Sequence, residues 1–121
     1  MEMFRFDRAE TVVDRFGSTG TAATGVAAGE GAVRLTCLTI TPGGVLGAHP
    51  APVEQLFLVV AGEGWVAGPD GTRVPVSAGD AVHWATGEQH GSGSTTGLTA
   101  LALEGPSVRH LAPAAGGPAA G

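Results

Sequence analysis

The sequence predicts an all-β fold, a sandwich or a barrel, and three features support that prediction. The 21 glycines and 8 prolines separate short runs rich in Val, Leu, Thr and Phe, which is typical of strands joined by tight turns. No run of helical length carries a sustained apolar stripe. The Asp-Gly pair within residues 69–71 indicates a hairpin, because it supplies the positive φ that tight hairpin turns require. Several antiparallel strands at this spacing are typical of sandwiches and barrels.

The predicted strands are short apolar or alternating runs, each bounded by turn residues. They cover residues 12–16, 33–40, 55–60, 64–67, 72–76, 81–84 and 98–104. The turn sequences TPGG, GPDG and SAGD join several of them. The ending APAAGGPAAG, residues 112–121, has no side chain able to form a core, so we predict a disordered tail after one domain of residues 1–111.

Length, composition and charge indicate one compact domain that does not bind nucleic acid. A chain of 121 residues can bury a core but is too short for two domains. Its hydrophobic fraction of 43% and charged fraction of 14% argue against disorder and predict a partly apolar surface, of the kind that oligomers bury. All six basic residues are arginines scattered along the chain, and the net charge is -5, so no nucleic-acid footprint is visible.

The number of cysteines and the first residues of the chain indicate the cellular compartment. The single cysteine, Cys37, excludes an intrachain disulfide and a four-cysteine zinc site, and we interpret it as a buried free thiol. The opening MEMFRFDRAETVV carries charges and lacks the apolar block of a signal peptide, and no stretch approaches the length that spans a bilayer. We therefore expect a cytoplasmic protein with no membrane partner.

The strand predicted at 55–60 is apolar on both faces. Side chains two apart share a face, so Gln55, Phe57 and Val59 point one way and the residues between them point the other way. Such a strand is buried on both sides, by a packed interior on one side and by a second layer or a partner subunit on the other. Because the chain is short of material for a second layer, the pattern favours a homodimer.

The four histidines differ in what their surroundings predict. His110 lies near the end of the chain and is expected to be exposed. His83 alternates with apolar neighbours in a strand, which favours a packing or surface role. His49 and His90 each follow a glycine-rich turn beside an apolar strand, which places them at the mouth or inner wall of a barrel, where ligands are usually held.

The stretch around His49 keeps a regular spacing of glycine and polar residues. In GGVLGAHPAPVEQLFLVVAG, residues 43–62, Gly43 is followed after five residues by His49. One residue separates His49 from Ala51, three residues separate Ala51 from Gln55, and six separate Gln55 from Gly62.

The stretch around His90 has a spacing of its own. In GDAVHWATGEQHGSGS, residues 79–94, Gly79 is followed after five residues by Ala85 and then by Gly87. His90 follows after two residues, and Ser94 after three more.

Together these stretches resemble the two motifs of the cupins, a family that folds as a small jelly-roll barrel, also called a double-stranded β-helix. The first cupin motif has a second histidine where Ala51 stands and a glutamate where Gln55 stands. The second has a proline where Ala85 stands and an asparagine where Ser94 stands. The resemblance covers roughly residues 33–104 and implies a single-domain, all-β, cupin-like barrel.

The resemblance also implies a metal site, because three histidines and the glutamate of cupins bind iron, manganese, nickel or zinc. His49 and His90 carry over as ligands, copper being a further candidate ion, and Gln55 carries over as an amide-oxygen ligand. Ala51 cannot coordinate an ion, and the amide removes a negative charge, so affinity should be lower than with the full set.

The function expected from the resemblance is a small stand-alone cupin that binds a divalent ion and a small organic molecule, with oxygenation, isomerisation or decarboxylation as its chemistry. Two alternatives stay open: a metal-free binding or sensing module, and a metal-free enzyme using His49 or His90 as acid or base. Phe57 and Trp65 are candidate pocket walls, whereas Trp84 is interpreted as a core aromatic.

Overall fold

A computed structural model describes residues 1–113 of the chain, and over that range it contains strands and turns but no helix. The strands are β1 Glu2–Arg5, β2 Thr11–Val12, β3 Ala22–Ala23, β4 Ala27–Ala28, β5 Arg34–Ile40, β6 Val45–Pro50, β7 Glu54–Ala67, β8 Arg73–Ser77, β9 Asp80–Trp84, β10 Gln89–Gly93, β11 Leu98–Gly105 and β12 Arg109–His110. The all-β prediction is confirmed. The tail predicted for 112–121 lies, from residue 114 onward, outside the described residues.

The long strand β7 joins two groups of antiparallel strands around one core. Its first part pairs with β9 and β11, which pair in turn with β1 and β5. Its second part pairs with β8 and β10, and β10 pairs with β6. Residues from both groups, among them Phe57, Val82, Val66 and Val76, belong to one buried cluster. The β2–β3 and β4–β12 pairs lie outside this sheet.

A β-bulge in β7 reverses which side chains face the core. On β11, Thr99 pairs with Ala61 and Ala100 pairs with Val59, so Val60 is an extra residue on β7. Side chains at 55, 57 and 59 therefore face inward before the bulge, whereas Val66 faces inward after it. The strands predicted at 55–60 and 64–67 are parts of this one strand.

Other strand predictions differ from the structure at turns and at polar strands. Residues 12–16 do not form a strand, since only Thr11–Val12 is extended and Phe16 has a φ of 61° and is 90% exposed. The predicted strands omit β6 and β10, because VLGAHP and QHGSG contain glycine, proline and polar residues rather than an alternating apolar pattern. These two strands carry His49 and His90.

The outer face of β7 is covered in part by the chain itself. Leu56 is fully buried within the single chain and β12 lies against β7, so the expectation that the chain lacks material for a second layer is wrong at this end. Val60, at the other end, is 41% exposed. Cys37 on β5 is exposed rather than buried, since it points away from the core.

Among the residues that the structure describes, no helix combines the length and the apolarity needed to cross a membrane.

Candidate metal and ligand site in the barrel

Strands β6 and β10 bring the two predicted ligand histidines together. His49 and His90 are direct cross-strand partners, and their ring centroids lie 4.2 Å apart at an interplanar angle of 55°. Backbone hydrogen bonds at the ends of these strands hold the register, with Ala51 N–H donating to the Glu88 carbonyl and Gly87 N–H donating to the Ala51 carbonyl. The two histidines predicted from the two motifs therefore lie side by side in the folded chain.

Both imidazoles turn the same nitrogen toward the backbone. His49 Nδ1 lies 2.7 Å from the Gly47 carbonyl oxygen, and His90 Nδ1 lies 3.4 Å from the Glu88 carbonyl oxygen. A carbonyl only accepts hydrogen bonds, so these contacts favour the tautomer with the proton on Nδ1. The lone pair of Nε2 is then free on each ring, which is the usual arrangement of metal-ligating histidines.

The two histidines border a cavity of about 220 Å³. Its lining combines apolar and aromatic walls with a few polar side chains: Thr36, Leu38, Leu46, His49, Gln55, Phe57, Trp84, His90, Ser92, Ala102 and Glu104. The volume suits a small organic molecule rather than a cofactor of nucleotide size.

Trp84 is a core aromatic, as interpreted from the sequence, since it is 1% exposed and belongs to the buried cluster, and it also lines this cavity. Its ring lies 4.6 Å from that of His90 and meets Phe57 edge-on at 5.6 Å. Its indole Nε1–H is buried without a hydrogen-bond partner among the described residues. A buried unpartnered donor is costly, so a ligand that supplied an acceptor there would gain affinity.

Burial lowers the pKa of His90 below its ordinary value, and the nearby His49 lowers it further. The hydrogen bond to the Glu88 carbonyl and the negative charge of Glu104 act in the opposite direction but are outweighed. His90 is therefore neutral near pH 7, which is the form that can bind a metal ion or accept a proton.

Glu104 is a site residue that sequence reasoning missed. It stands opposite Gln55 in the register of β11 and β7, and both side chains line the cavity. It therefore supplies a carboxylate beside the neutral amide. The signal that could have found it is the pairing of β11 with β7, which the order of residues along the chain does not reveal.

The barrel interior nevertheless lacks a complete set of strong ligands. Ala51 is 2% exposed and fills the position of the second histidine. In the described part of the chain, the ligand atoms of His49, His90 and Glu104 do not form a group of three within 4.8 Å of one another. A metal ion there would rely on the two imidazoles, with oxygen atoms completing its shell.

Trp65, the second predicted pocket wall, lies elsewhere. It borders an outer surface with Glu63, Pro75 and Thr95, and the Arg73 guanidinium stacks over its ring at 3.9 Å. The cause is the bulge at Val60, which turns odd-numbered residues outward beyond it.

A comparison with known families matches residues 36–104 to the family Cupin_2, described as a cupin domain. This segment is more than half of the chain and contains both histidine motifs. The chain belongs to the cupin family.

Known cupin structures and one enzyme resemble this cupin. A predicted oxalate decarboxylase from Thermotoga maritima is 29% identical, with a TM-score of 0.53 over 64% of this chain and 65% of that protein. An RmlC-like cupin from Shewanella frigidimarina is 23% identical, with a TM-score of 0.58 over 62% of this chain and 67% of that one.

The enzyme is an (R)-mandelonitrile lyase from Granulicella tundricola, 35% identical over 69 residues. The match covers 55% of this cupin and 53% of the lyase, so the chain spans about half the length of that enzyme.

A cluster of side chains of the types that can bind metal ions lies on the outside of this cupin. Glu2, His83 and His110 each place one ligand atom within 4.8 Å of the others, an arrangement that could hold a metal ion. His110 is half-buried rather than exposed as expected, because its ring stacks on Phe4 at 4.4 Å. His83 pairs with Glu54, so its surface role includes a specific polar contact.

Proposed function

We propose that this cupin binds a divalent metal ion in the barrel through His49 and His90, with Gln55 as an amide-oxygen ligand, together with a small organic molecule. The observation that carries the proposal is the orientation of the two imidazoles. They are cross-strand partners 4.2 Å apart, and each turns Nδ1 to a backbone carbonyl. This leaves both Nε2 atoms free on neighbouring rings.

Glu104 supplies the negative charge that Gln55 lacks. A carboxylate in a low-dielectric cavity attracts a divalent ion far more strongly than an amide does. Because Glu104 stands opposite Gln55 on the neighbouring strand, its carboxylate can act on the ion through a bound water molecule. The donor set would be two nitrogens and one or two oxygens, which suits iron, manganese, nickel, copper or zinc.

The organic ligand is small and carries both an apolar group and an oxygen acceptor. Phe57 and Trp84 provide aromatic walls, and we propose the Trp84 indole N–H, which has no partner among the described residues, as the donor to that acceptor. Mandelonitrile and oxalate, which appear in the names of two relatives, are both small and oxygen-bearing. We propose a ligand of that size class, a hydroxylated or carboxylated molecule.

We propose bond cleavage of the lyase or decarboxylase kind as the reaction, since both named relatives are of that type. A bound ion would supply Lewis-acid polarisation of a ligand oxygen. Phe57 and Trp84 would exclude water from one side of the cavity, and the Glu104 carboxylate would balance part of the charge of the ion. Oxygenation and isomerisation use the same kind of site, and identification of the reaction products would distinguish them from bond cleavage.

A metal-free acid-base enzyme is the second candidate, and Ala51 is the observation that favours it. Without a third imidazole the site is weak for metal, whereas His90 is already held neutral by burial. In that case His90 Nε2 would take a proton from the substrate hydroxyl, and the free Nε2 lone pair of His49 would accept a hydrogen bond from the imidazolium that forms. A metal-free binding or sensing module would use the same cavity without turnover.

Metal analysis of untagged protein separates these candidates. We expect the wild type, after loading with iron, manganese, nickel, copper or zinc and desalting, to keep one equivalent more metal than the His49→Ala, His90→Ala double variant. The comparison is made in the His83→Gln, His110→Gln background, so that metal bound at the outer cluster of Glu2, His83 and His110 does not contribute to either count. Equal metal content in the wild type and the double variant would refute the barrel site. Turnover of mandelonitrile or oxalate by metal-free protein would support the acid-base candidate instead.

We also propose a homodimer formed through an apolar outer face, defined here as Leu35, Cys37, Leu58, Val60 and Leu101 on β5, β7 and β11. Leu101 is the cross-strand partner of both Cys37 and Leu58, so the residues are contiguous. Leu35 is 62% exposed, and Val60 is also exposed. Exposed apolar faces of this kind are commonly buried by a second subunit.

A cytoplasmic location remains part of the proposal. The exposed free thiol of Cys37 supports it, because a reducing compartment keeps such a thiol unpaired. Detection of the protein only in a secreted or periplasmic fraction of its host would contradict it.

A further inference from the structure

We propose that Glu2, His83 and His110 form a second, structural metal site on the outside of the barrel, which takes a divalent transition ion of the zinc class. The site is independent of the barrel cavity and of the reaction proposed above. It uses none of the residues that line the cavity.

Three distant segments of the chain meet at this site. Glu2 on β1 is the direct cross-strand partner of His83 on β9, and His110 lies on β12. The Glu2 carboxylate, His83 Nδ1 and His110 Nε2 converge, with Oε1 of Glu2 contacting His110 Nε2 and lying 3.9 Å from His83 Nδ1. An ion bound there would tie both ends of the described chain to β9.

His83 is oriented so that Nδ1, the nitrogen that faces Glu2, has a lone pair available for a metal ion. Its Nε2 lies 3.0 Å from Oε1 of Glu54, which accepts only, so Nε2 carries the proton and Nδ1 keeps its lone pair toward Glu2. Glu54 is held in turn by Thr86, whose backbone N–H and hydroxyl both donate to its second oxygen at 2.6 and 2.7 Å. A carboxylate that orients a histidine in this way is the common outer-shell partner of metal ligands.

His110 is held in place by packing. Its ring stacks on Phe4 at a centroid distance of 4.4 Å and an interplanar angle of 18°. Its Nδ1 is buried without a hydrogen-bond partner among the described residues, so Nε2, which faces Glu2, is the nitrogen through which it makes polar contacts. Phe4 and Glu2 lie on the same face of β1, and this strand therefore positions the ring and supplies the carboxylate.

The separations suit a shared ion better than a hydrogen-bonded network alone. The 3.9 Å between His83 Nδ1 and Glu2 is too long for a hydrogen bond. Ligands bound at about 2.1 Å in tetrahedral geometry lie about 3.4 Å apart, so a small rotation of the half-exposed Glu2 side chain would complete the set. Two imidazoles and one carboxylate with an open fourth position are typical of zinc and its neighbours in the series.

The charge around the site also favours a cation. Glu2 and Glu54 both lie beside His83, so two carboxylates face two imidazoles. A divalent ion would neutralise the charge of the two carboxylates.

The test measures zinc binding in the His49→Ala, His90→Ala background, where the barrel site is absent. Untagged protein is titrated with Zn²⁺ by calorimetry, and bound zinc is counted after desalting. We expect one equivalent, lost in Glu2→Gln and in His110→Gln, together with a rise in melting temperature of several degrees that these variants lose. Glu63→Gln, which removes an exposed carboxylate elsewhere, is the matched control and should keep the ion.

Each result decides the proposal without reference to the barrel. No bound zinc in the His49→Ala, His90→Ala protein would overturn it, as would zinc that persists in Glu2→Gln and His110→Gln. If His110→Gln fails to fold, the zinc content of Glu2→Gln still tests the proposal. The Glu2 side chain is half-exposed and glutamine has the same shape, so this variant should fold. Cobalt substitution provides a second readout, since the visible spectrum of the Co²⁺ form should change when either ligand is lost.

Discussion

His49 and His90 face each other across β6 and β10, with ring centroids 4.2 Å apart. Each ring turns Nδ1 to a backbone carbonyl two residues before it in the chain, at Gly47 and at Glu88. The pairing of two polar, glycine-containing strands therefore sets both the distance between the imidazoles and the nitrogen that each presents.

The first prediction concerns the stability of the metal-free protein as a function of pH. Burial holds the pKa of His90 below 6.5, so the unfolded chain takes up this proton at a higher pH than the folded chain does. Above about pH 6.5 His90 has no effect, and below it the free energy of unfolding falls until the lower folded-state pKa is passed. Urea unfolding in EDTA from about pH 8 to about pH 5 measures this fall.

The control for that experiment is His90→Gln, which removes the titrating group and keeps a polar side chain. The fall in stability over the same pH range should be smaller in this variant. An identical pH profile in the two proteins would show that His90 titrates as it does in the unfolded chain.

The second prediction is that Gln55→Glu strengthens metal binding in the barrel. The change adds a negative charge without adding volume, so the dissociation constant for Mn²⁺ or Zn²⁺ should fall about tenfold or more. Glu104→Gln should weaken binding, because it removes the carboxylate on the opposite strand. Calorimetry in the His83→Gln, His110→Gln background isolates this site. Unchanged affinity in both variants would mean that neither residue faces the ion.

The third prediction uses the two tryptophans as reporters. Trp84 lies 4.6 Å from His90, whereas Trp65 stacks with Arg73 outside the cavity. Ni²⁺ should therefore quench the fluorescence of Trp65→Phe, which keeps Trp84, and should leave that of Trp84→Phe nearly unchanged. Equal quenching of the two variants would contradict the assignment of the cavity wall.

Trp84→Phe should also bind mandelonitrile or oxalate about tenfold more weakly, because it loses the indole donor.

The fourth prediction concerns the bulge that turns Trp65 outward. Gly62 has a φ of 79°, and a Cβ there would lie 2.2 Å from the Gly97 carbonyl oxygen. Gly62→Ala should lower the free energy of unfolding by about 3 kcal/mol or more, since strain and a backbone clash add together. Gly71→Ala is the matched control: its φ is 76° with no atom within 4 Å, so only the backbone conformation costs energy, about 1 kcal/mol. Equal losses in urea unfolding would show that the backbone relaxes around the bulge.

The fifth prediction concerns the dimer. Leu35→Lys and Leu101→Lys each place a charge in the apolar outer face, so both should convert a dimer to a monomer in light scattering coupled to gel filtration. Leu111→Lys, which charges an exposed leucine outside that face, should leave the dimer intact. A monomeric wild type at about micromolar concentration would contradict the proposal.

Much of the fold and half of the barrel site could be predicted from the order of residues. Glycine and proline separate the apolar runs, so the all-β class follows from them, and the spacing around His49 and His90 indicated the paired motifs. Both histidines could be found because each lies at a defined distance from a turn glycine. The strands that carry them were missed, since they lack apolar alternation.

The residues that were missed or misplaced depend on register, which local patterns do not contain. Glu104 meets Gln55 only because β11 pairs with β7, and Trp65 faces outward because of one extra residue at Val60. Trp84 lies beside the cavity because β9 pairs it with Gln55 on β7. The outer cluster is harder still, because Glu2 and His110 are 108 residues apart. Each of its members alone was consistent with an ordinary surface residue.

The central claim is that the paired imidazoles of β6 and β10 hold a metal ion in the barrel, and anomalous diffraction tests it most directly. Crystals of the untagged wild type, grown with Mn²⁺ and in parallel with Zn²⁺, would be measured on both sides of the absorption edge of each metal. We predict an anomalous peak within bonding distance of Nε2 of both His49 and His90. Well-ordered density for both imidazoles with no anomalous peak between them, in either crystal, would contradict the claim, whatever is bound at Glu2, His83 and His110.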